Sequence, residues 1–408
     1  MASNLRDRLR MIQKQKKIEK PEEKQKTFEV SSLTDNGWEQ CGFQVLKKEI
    51  YLNTPYKLIK NMPASLGIIV PDLSGRSLPK LEDYLFFDLE TTGLSGGAGT
   101  VAFLAAFGEF IAVKDILKLC VTQYLLLDYP GENDFLYAVI KKIKKEGAVI
   151  VTYNGKCFDS QILKTRCLMN GIKPPEYYHA DLLHPARRLW KNIIHDCSQG
   201  SIETKILGLD RSGDIPGAQA PEIWFEFLKT GKTERLIGIC EHNCSDIAGL
   251  SSILAAMIFI AKNPFDTQYR YDVERLALYW RRYHRLRGDV HVNENSDLQK
   301  TGNELLLHAA DNNYPRASFV YAHDQIQSGN FAEGRKRMFG IAKSSFPENI
   351  KAAALRSLAI DSERRLKNYN EALEFVKKGL ELKLLPAVLQ AEFRKRSNRL
   401  ELKLPPSH

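Results

Sequence analysis

From residue 84 onward the chain alternates between apolar runs and amphipathic stretches. Phe86 and Phe87 lie in an apolar run from Tyr84 to Glu90, the length of a buried strand. Strand-like runs follow near Thr100 to Phe110 and Leu117 to Leu126, then a helical period over Glu132 to Lys145 and a short strand at Ala148 to Thr152. A helix opens at Phe158-Asp159, with Ile162, Leu163 and Leu168 predicted to face inward, and a short strand precedes Asp181. A long helix begins at Thr233, with Leu236, Ile239, Cys240, Ile247, Leu250, Ile253 and Leu254 as its apolar positions. Three consecutive strands, a helix and a fourth strand predict an α/β fold with a mixed sheet flanked by helices. Residues 27–82 carry Pro55, Pro63, Pro71 and Pro79 and read as an irregular lead-in with one or two edge strands.

The chemistry gathers where these elements end. Asp88 and Glu90 close the first strand. Residues two apart on a strand point the same way, so both carboxylates face one side. Ionised carboxylates held together repel, and burying them unpaired is costly; a divalent cation removes both problems. Thr91, Thr92 and Gly93 then turn the chain and let a ligand approach the backbone. Asn154-Gly155 ends a strand at a turn, and Asp159 opens the next helix, either as its N-cap or as a third site carboxylate. His242 and Asp246 lie four apart on the long helix and so share a face. Arg187, Arg188 and Trp190 form a basic-aromatic helix that can grip phosphates and stack on bases. His179, His184 and His195 read as hydrogen-bonded scaffold.

Composition narrows the partners. The net charge is +10 with pI near 9.1, which suits a polyanion such as nucleic acid. Residues 1–26 carry nine Lys or Arg against four acids, a basic arm that can lie on phosphates. Seven scattered cysteines without a Cys-x-x-Cys pair read as reduced thiols, and Cys240, His242 and Cys244 lack the second ligand pair of a zinc site. The longest apolar candidate, Leu250 to Ala261, is too short for a membrane span, and the Arg/Lys-rich start is unlike a secretory signal. A cytoplasmic protein with no membrane association is expected. The glycine loop Ser95 to Gly99 is not followed by Gly-Lys-Ser/Thr and is not a P-loop.

Asp88-Leu89-Glu90-Thr91-Thr92-Gly93, Asn154 with Phe158-Asp159, and His242 with Asp246 together resemble the three-block DEDD signature of DnaQ-like 3′–5′ exonucleases, in the ribonuclease-H-like superfamily. The run Thr92 to Thr100, the segment Asp181 to Arg187 and Asp214-Ile215-Pro216-Gly217 look like the YprB group, bacterial proteins in which a ribonuclease-H-like domain precedes tetratricopeptide-like helices. The resemblance implies a ribonuclease-H-like mixed sheet followed by an all-α helical-repeat domain. It also implies two-metal phosphodiester hydrolysis with Mg²⁺ or Mn²⁺. Asp88, Glu90, Asp159 and Asp246 would hold the metals, His242 would accept the water's proton, and Thr91 and Leu94 would contact the terminal nucleotide. Thr92, Gly93, Asn154, Arg187 and Arg188 complete the expected substrate contacts. One departure stands out: His242 sits at the spacing that DEDD enzymes use for a tyrosine.

The expected organisation is a basic arm (1–35), a lead-in (36–82), the nuclease domain (83–262), a basic helical linker (263–300) and tetratricopeptide-like helices (301–408). A faint repeat supports the last: Gly329-Asn330-Phe331-Ala332-Glu333-Gly334 resembles Lys367-Asn368-Tyr369-Asn370-Glu371-Ala372, thirty-eight residues on, close to the tetratricopeptide period. The expected activity is exonucleolytic cleavage of single-stranded DNA or RNA. A catalytically weak adaptor whose repeats recruit proteins and a structure-specific endonuclease are the alternatives.

Overall fold

A computed structural model describes residues 31–54, 62–74, 79–93, 97, 99–113, 116–266, 268–287 and 295–404. Its centre is strand β3 (Tyr84–Thr91). The sheet order is β1-β2-β5-β4-β3-β6-β7, with β1 (Glu39–Gly42), β2 (Val45–Asn53), β4 (Ala102–Val113), β5 (Ile116–Leu126), β6 (Val149–Thr152) and β7 (Tyr178–Asp181). Two strands from the irregular lead-in therefore complete the sheet, and β1 lies at its edge. The strands from β1 to β3 pair antiparallel, whereas β3, β6 and β7 run parallel. The C-terminal ends of β3, β6 and β7 thus share one edge. In open α/β sheets that edge is the usual place for a ligand.

Strict alternation along β3 feeds two cores. Leu85, Phe87 and Leu89 enter one with Phe107, Phe135, Ile150 and Trp224, while Tyr84 and Phe86 enter the other with Val121, Val151, Ile247 and Leu250. The helices packed on these faces are α1 (Ser31–Asp35), α2 (Leu66–Ile69), α3 (Glu132–Ile143), α4 (Asp159–Met169), α5 (Leu183–Ile194), α6 (Gln199–Lys205), α7 (Ala220–Thr230) and α8 (Glu234–Lys262). On α4, Arg166 and Cys167 turn inward and Leu168 is 60% exposed. The expected inward Leu168 is thereby corrected. Buried Arg166 is satisfied by a two-pronged pair with Glu132 at 2.5 Å, so the helix turns that face to the core.

Helix α8 lies across the sheet. A side chain at Gly108 would collide with Ile247, 2.4 Å from the position of its Cβ, so the glycine lets α8 sit directly on β4. By length and hydropathy α8 also qualifies as a membrane span, which corrects the expectation that no segment would; 72% of its apolar window is buried in the fold, as befits a core helix.

Helices α9 (Val273–Arg287), α10 (Asn295–Asp311), α11 (Pro315–Gln327), α12 (Phe331–Lys343), α13 (Glu348–Arg364), α14 (Tyr369–Leu380) and α15 (Ala387–Glu401) form an all-helical C-terminal region. The two repeat segments start equivalent helices, α12 after Asn330 and α14 after Asn368. The region shares a core with the sheet, because Leu276, Trp280, Leu305 and Ala309 pack in the same cluster as Phe86 and Leu250. Part of the basic-aromatic linker is engaged in packing of the helical region and its junction with the sheet domain. Trp280 is buried, Arg281 pairs with Asp324, and Arg275 reaches the Arg187 carbonyl at 3.3 Å.

Candidate metal and nucleic-acid site

Because Phe86 faces the α8 side, Asp88 follows it to the same side, and Asp88 and Glu90 emerge beneath α8. That helix supplies His242, Asn243 and Asp246 over one turn. Single ligand atoms of Glu90, His242 and Asp246 lie within 4.8 Å of one another. Asp159 arrives from the end of β6. It is the first residue of α4 rather than the N-cap, which is Phe158 without a side-chain cap bond. The capping alternative is therefore not used.

Electrostatics tie the four acids together. Burial first, then the charges of Asp246 and Asp159, push the Asp88 carboxyl well above the usual range. Burial and the charges of Asp88, Asp246, Asp159 and Asp214 do the same to Glu90. Burial, then Asp181, raises Asp159 to about 7. Each shift marks a carboxylate whose charge the protein leaves under-compensated.

A loop joining α6 to α7 brings residues that the sequence had not assigned a role. Arg211 Nη2 lies 2.6 Å from Asp246 Oδ1, its Nη1 is 2.8 Å from Asp214 Oδ2, and its Nε is 2.5 Å from the buried Glu203. Asp214 Oδ1 lies 2.9 Å from His242 Nδ1, out of line for a full hydrogen bond, and His242 Nε2 is 3.3 Å from Asp246 Oδ2. Asp246 therefore gives one oxygen to Arg211 and turns the other toward His242. A Cβ at Gly217 would come within 2.8 Å of His242 Nε2, so the glycine keeps the space beside that nitrogen open. Oxygen ligands, one imidazole and a small cleared space suit a hard or borderline divalent cation.

The remaining expected residues divide. Thr91 Oγ1 donates to the Gly93 carbonyl at 2.9 Å, and Thr92 Oγ1 accepts from Val101 N at 2.9 Å, so both threonines shape the turn beside Glu90. Leu94 lies outside the described residues, as do residues 1–30 of the basic arm. Asn154 adopts a left-handed φ of 67°, and its N–H donates to Asp181 Oδ1 at 2.9 Å. Asp181 also takes the Lys156 and Leu183 N–H groups, which fixes the turn that delivers Asp159. Arg187 is exposed. Arg188 is half-buried: its guanidinium donates to the Ile69 carbonyl at 2.9 Å and lies 3.7 Å over the Tyr279 ring. These contacts help join α5, α2 and α9. His179 is scaffold as expected, 2.8 Å from Thr152 Oγ1, with burial lowering it to about 4.

Residues 85–258 match the family model described as RNase_H superfamily. The chain carries a ribonuclease-H-like domain. Over 175 residues it is 41% identical to the uncharacterized protein YprB of Bacillus subtilis (strain 168), an alignment covering 42% of this chain and 41% of that protein. This chain thus spans less than half the length of that relative. The family match ends within α8, before the C-terminal helices begin.

Proposed function

We propose that the protein is a divalent-metal-dependent nuclease that hydrolyses phosphodiester bonds, acting as a 3′–5′ exonuclease on single-stranded DNA or RNA ends in the cytoplasm. The observation that carries this reading is the grouping of Glu90, His242 and Asp246 within 4.8 Å of one another, beside Asp88 and Asp159, with the carboxyls of Asp88, Glu90 and Asp159 raised, at the sheet edge where the parallel strands end. These four acids are the residues that would hold Mg²⁺ or Mn²⁺, with His242 beside them. Two such ions held there would lower the pKa of water and stabilise a leaving oxygen.

The chain's own groups supply the rest. His242 turns Nδ1 toward Asp214 and Nε2 toward the Asp246 side, and the imidazole takes the proton of the attacking water there. One turn of α8 suffices for this, so a histidine works at the tyrosine spacing. Arg211 holds Asp246 from the side away from His242. The Thr91–Gly93 turn beside Glu90, with exposed Asn154 and Arg187, would receive the sugar-phosphate chain. The helical region, with tetratricopeptide-like hairpins, serves to recruit a protein partner.

The test is digestion of end-labelled single-stranded oligonucleotides of both sugars with Mn²⁺. Wild type is expected to release terminal nucleotides from the 3′ end, and Asp88→Ala to lose about a thousandfold or more of that rate, since several kcal/mol of charge stabilisation disappear. Internal fragments would indicate an endonuclease. Equal digestion by Asp88→Ala removes the assignment, and no digestion by wild type favours a binding adaptor.

A further inference from the structure

Asp88 is held by a directional pair of buried amides. In the sheet, Asp88 pairs with Ala106 and Ala106 with Gln123, so the acid and the glutamine lie on one row, two strands apart, with a small residue between them. Asn243 descends from α8 into this row. Gln123 and Asn243 are both 0% exposed. Gln123 Nε2 donates to the Cys240 carbonyl at 2.7 Å and to Asn243 Oδ1 at 3.0 Å, and Asn243 Nδ2 donates to Asp88 Oδ2 at 2.7 Å.

The order of donors is fixed by an atom that cannot reverse. The Cys240 carbonyl only accepts, so the nitrogen end of Gln123 must face it. The same nitrogen then faces Asn243, which places the asparagine oxygen toward Gln123 and its nitrogen toward the acid. A flipped Asn243 would set two amide nitrogens against each other at Gln123 and two oxygens against each other at Asp88. One oxygen of Asp88 is thereby engaged by the protein, and among the described residues Oδ1 takes no hydrogen bond.

Resting on the metal-nuclease reading above, we propose that Asn243, oriented by Gln123, is the positioning residue that presents Asp88 as a single-oxygen metal ligand. The two amides set which carboxylate oxygen faces the pocket before any cation arrives. Partners that orient a metal-binding side chain in this way are worth 10- to 100-fold in metal affinity. An aspartate at 243 would reverse the polarity of the contact and add another charge to the acid cluster.

The experiment titrates Mn²⁺ into metal-free full-length protein and follows free Mn²⁺ by electron paramagnetic resonance, with a thermal melt of each metal-free variant alongside. Asn243→Leu is expected to weaken Mn²⁺ binding about 10- to 100-fold. Gln123→Met, which leaves Asn243 in place but unlocks its direction, is expected to weaken it by a smaller factor in the same sense. It decides the question should Asn243→Leu fail to fold. Wild-type affinity in either folded variant, with only the melting temperature changed, makes the amides structural and overturns the proposal. If wild type itself takes up no Mn²⁺ while Asp88→Asn behaves identically, the metal-nuclease reading falls and the proposal with it.

Discussion

Two acid clusters in this molecule solve the same problem in opposite ways. In the helical region Glu363, 5% exposed, is ringed by cations: Arg396 Nη1 and Arg399 Nη2 lie 2.6 Å from Oε2, and Lys403 Nζ lies 3.1 Å from Oε1. Its carboxyl is held down to about 2 by the Arg399, Lys403 and Arg396 groups, which outweigh burial. In the sheet domain, Asp88, Glu90 and Asp159 are also withdrawn from water, yet their carboxyls are pushed up. There Arg211 reaches Asp246, and Asp88 has a neutral amide. An acid that staples a fold is neutralised by its own chain. An acid left short of positive charge is where the proposed cation would complete the structure. The lesson concerns balance of charge, since acid content alone does not distinguish the two clusters.

The sharpest way to break this comparison is to titrate the two clusters without metal. Asp159 has a folded value near 7 against an ordinary value of about 4. Above pH 7 it is charged in both states, and the folded state carries the full penalty. Between pH 7 and 4 the folded chain holds a proton that the unfolded chain has released, so stability rises as pH falls. Asp88 and Glu90 act in the same direction. Asp159→Asn is therefore expected to stabilise the metal-free protein at pH 8 by up to about 4 kcal/mol and to flatten the profile between pH 8 and 5. Denaturant melts at the two pH values measure it. A wild-type protein no more stable at pH 5 than at pH 8 would show that these acids are not strained.

Glu363 carries the opposite sign. Its stabilisation is complete above the unfolded value near 4.3 and disappears as pH falls through about 2. Glu363→Gln leaves Arg396 buried beside two part-exposed cations, and a loss of about 3 kcal/mol is expected, the low end for breaking a buried ion pair. Cleavage at permissive temperature should be unchanged. A large loss of activity in a folded Glu363→Gln protein would mean that the helical region reaches the site energetically, through the core it shares with α8.

Much of this contrast was legible in the sequence, and the part that was not has a physical reason. The period-two pattern of Leu85 to Glu90 gave the central strand and the common direction of its acids. The spacing of His242 and Asp246 gave a shared helix face. What periodicity cannot supply is which polar residue meets which across the fold. Asn243 and Gln123 are 120 residues apart, and neither interrupts its local pattern. Arg211 and Asp214 lie in a Gly/Pro-rich loop without periodicity, although Asp214-Ile215-Pro216-Gly217 already stood out as a segment. Strands β1 and β2 were expected only as one or two edge strands without bounds, because the polar, exposed positions near the sheet edge dilute the apolar alternation. Leu168 failed as an inward residue because Arg166, two residues before it and so on the opposite side of α4, found a buried carboxylate.

The last prediction extends the comparison from acids to cations. Arg187 and Arg188 are adjacent on α5 and were expected to bind phosphate together. Arg187 is exposed, while Arg188 is bound to the Ile69 carbonyl and stacked on Tyr279, and burial lowers its pKa. A side chain already paired inside the fold gains little by turning to a ligand, because it would forfeit both contacts. Arg188→Ala is expected to cost about 1–2 kcal/mol in stability, one hydrogen bond to a charged group plus a cation–π contact, with oligonucleotide affinity within about twofold, since no phosphate contact is lost. Arg187→Ala should leave stability within about 0.5 kcal/mol and reduce the salt dependence of oligonucleotide binding by close to one phosphate contact. Fluorescence anisotropy across a salt series, set beside thermal melts, separates the two. If the roles come out reversed, pairing inside the fold does not decide which charges serve the ligand, and the reasoning that sets the acid cluster apart from Glu363 loses its generality.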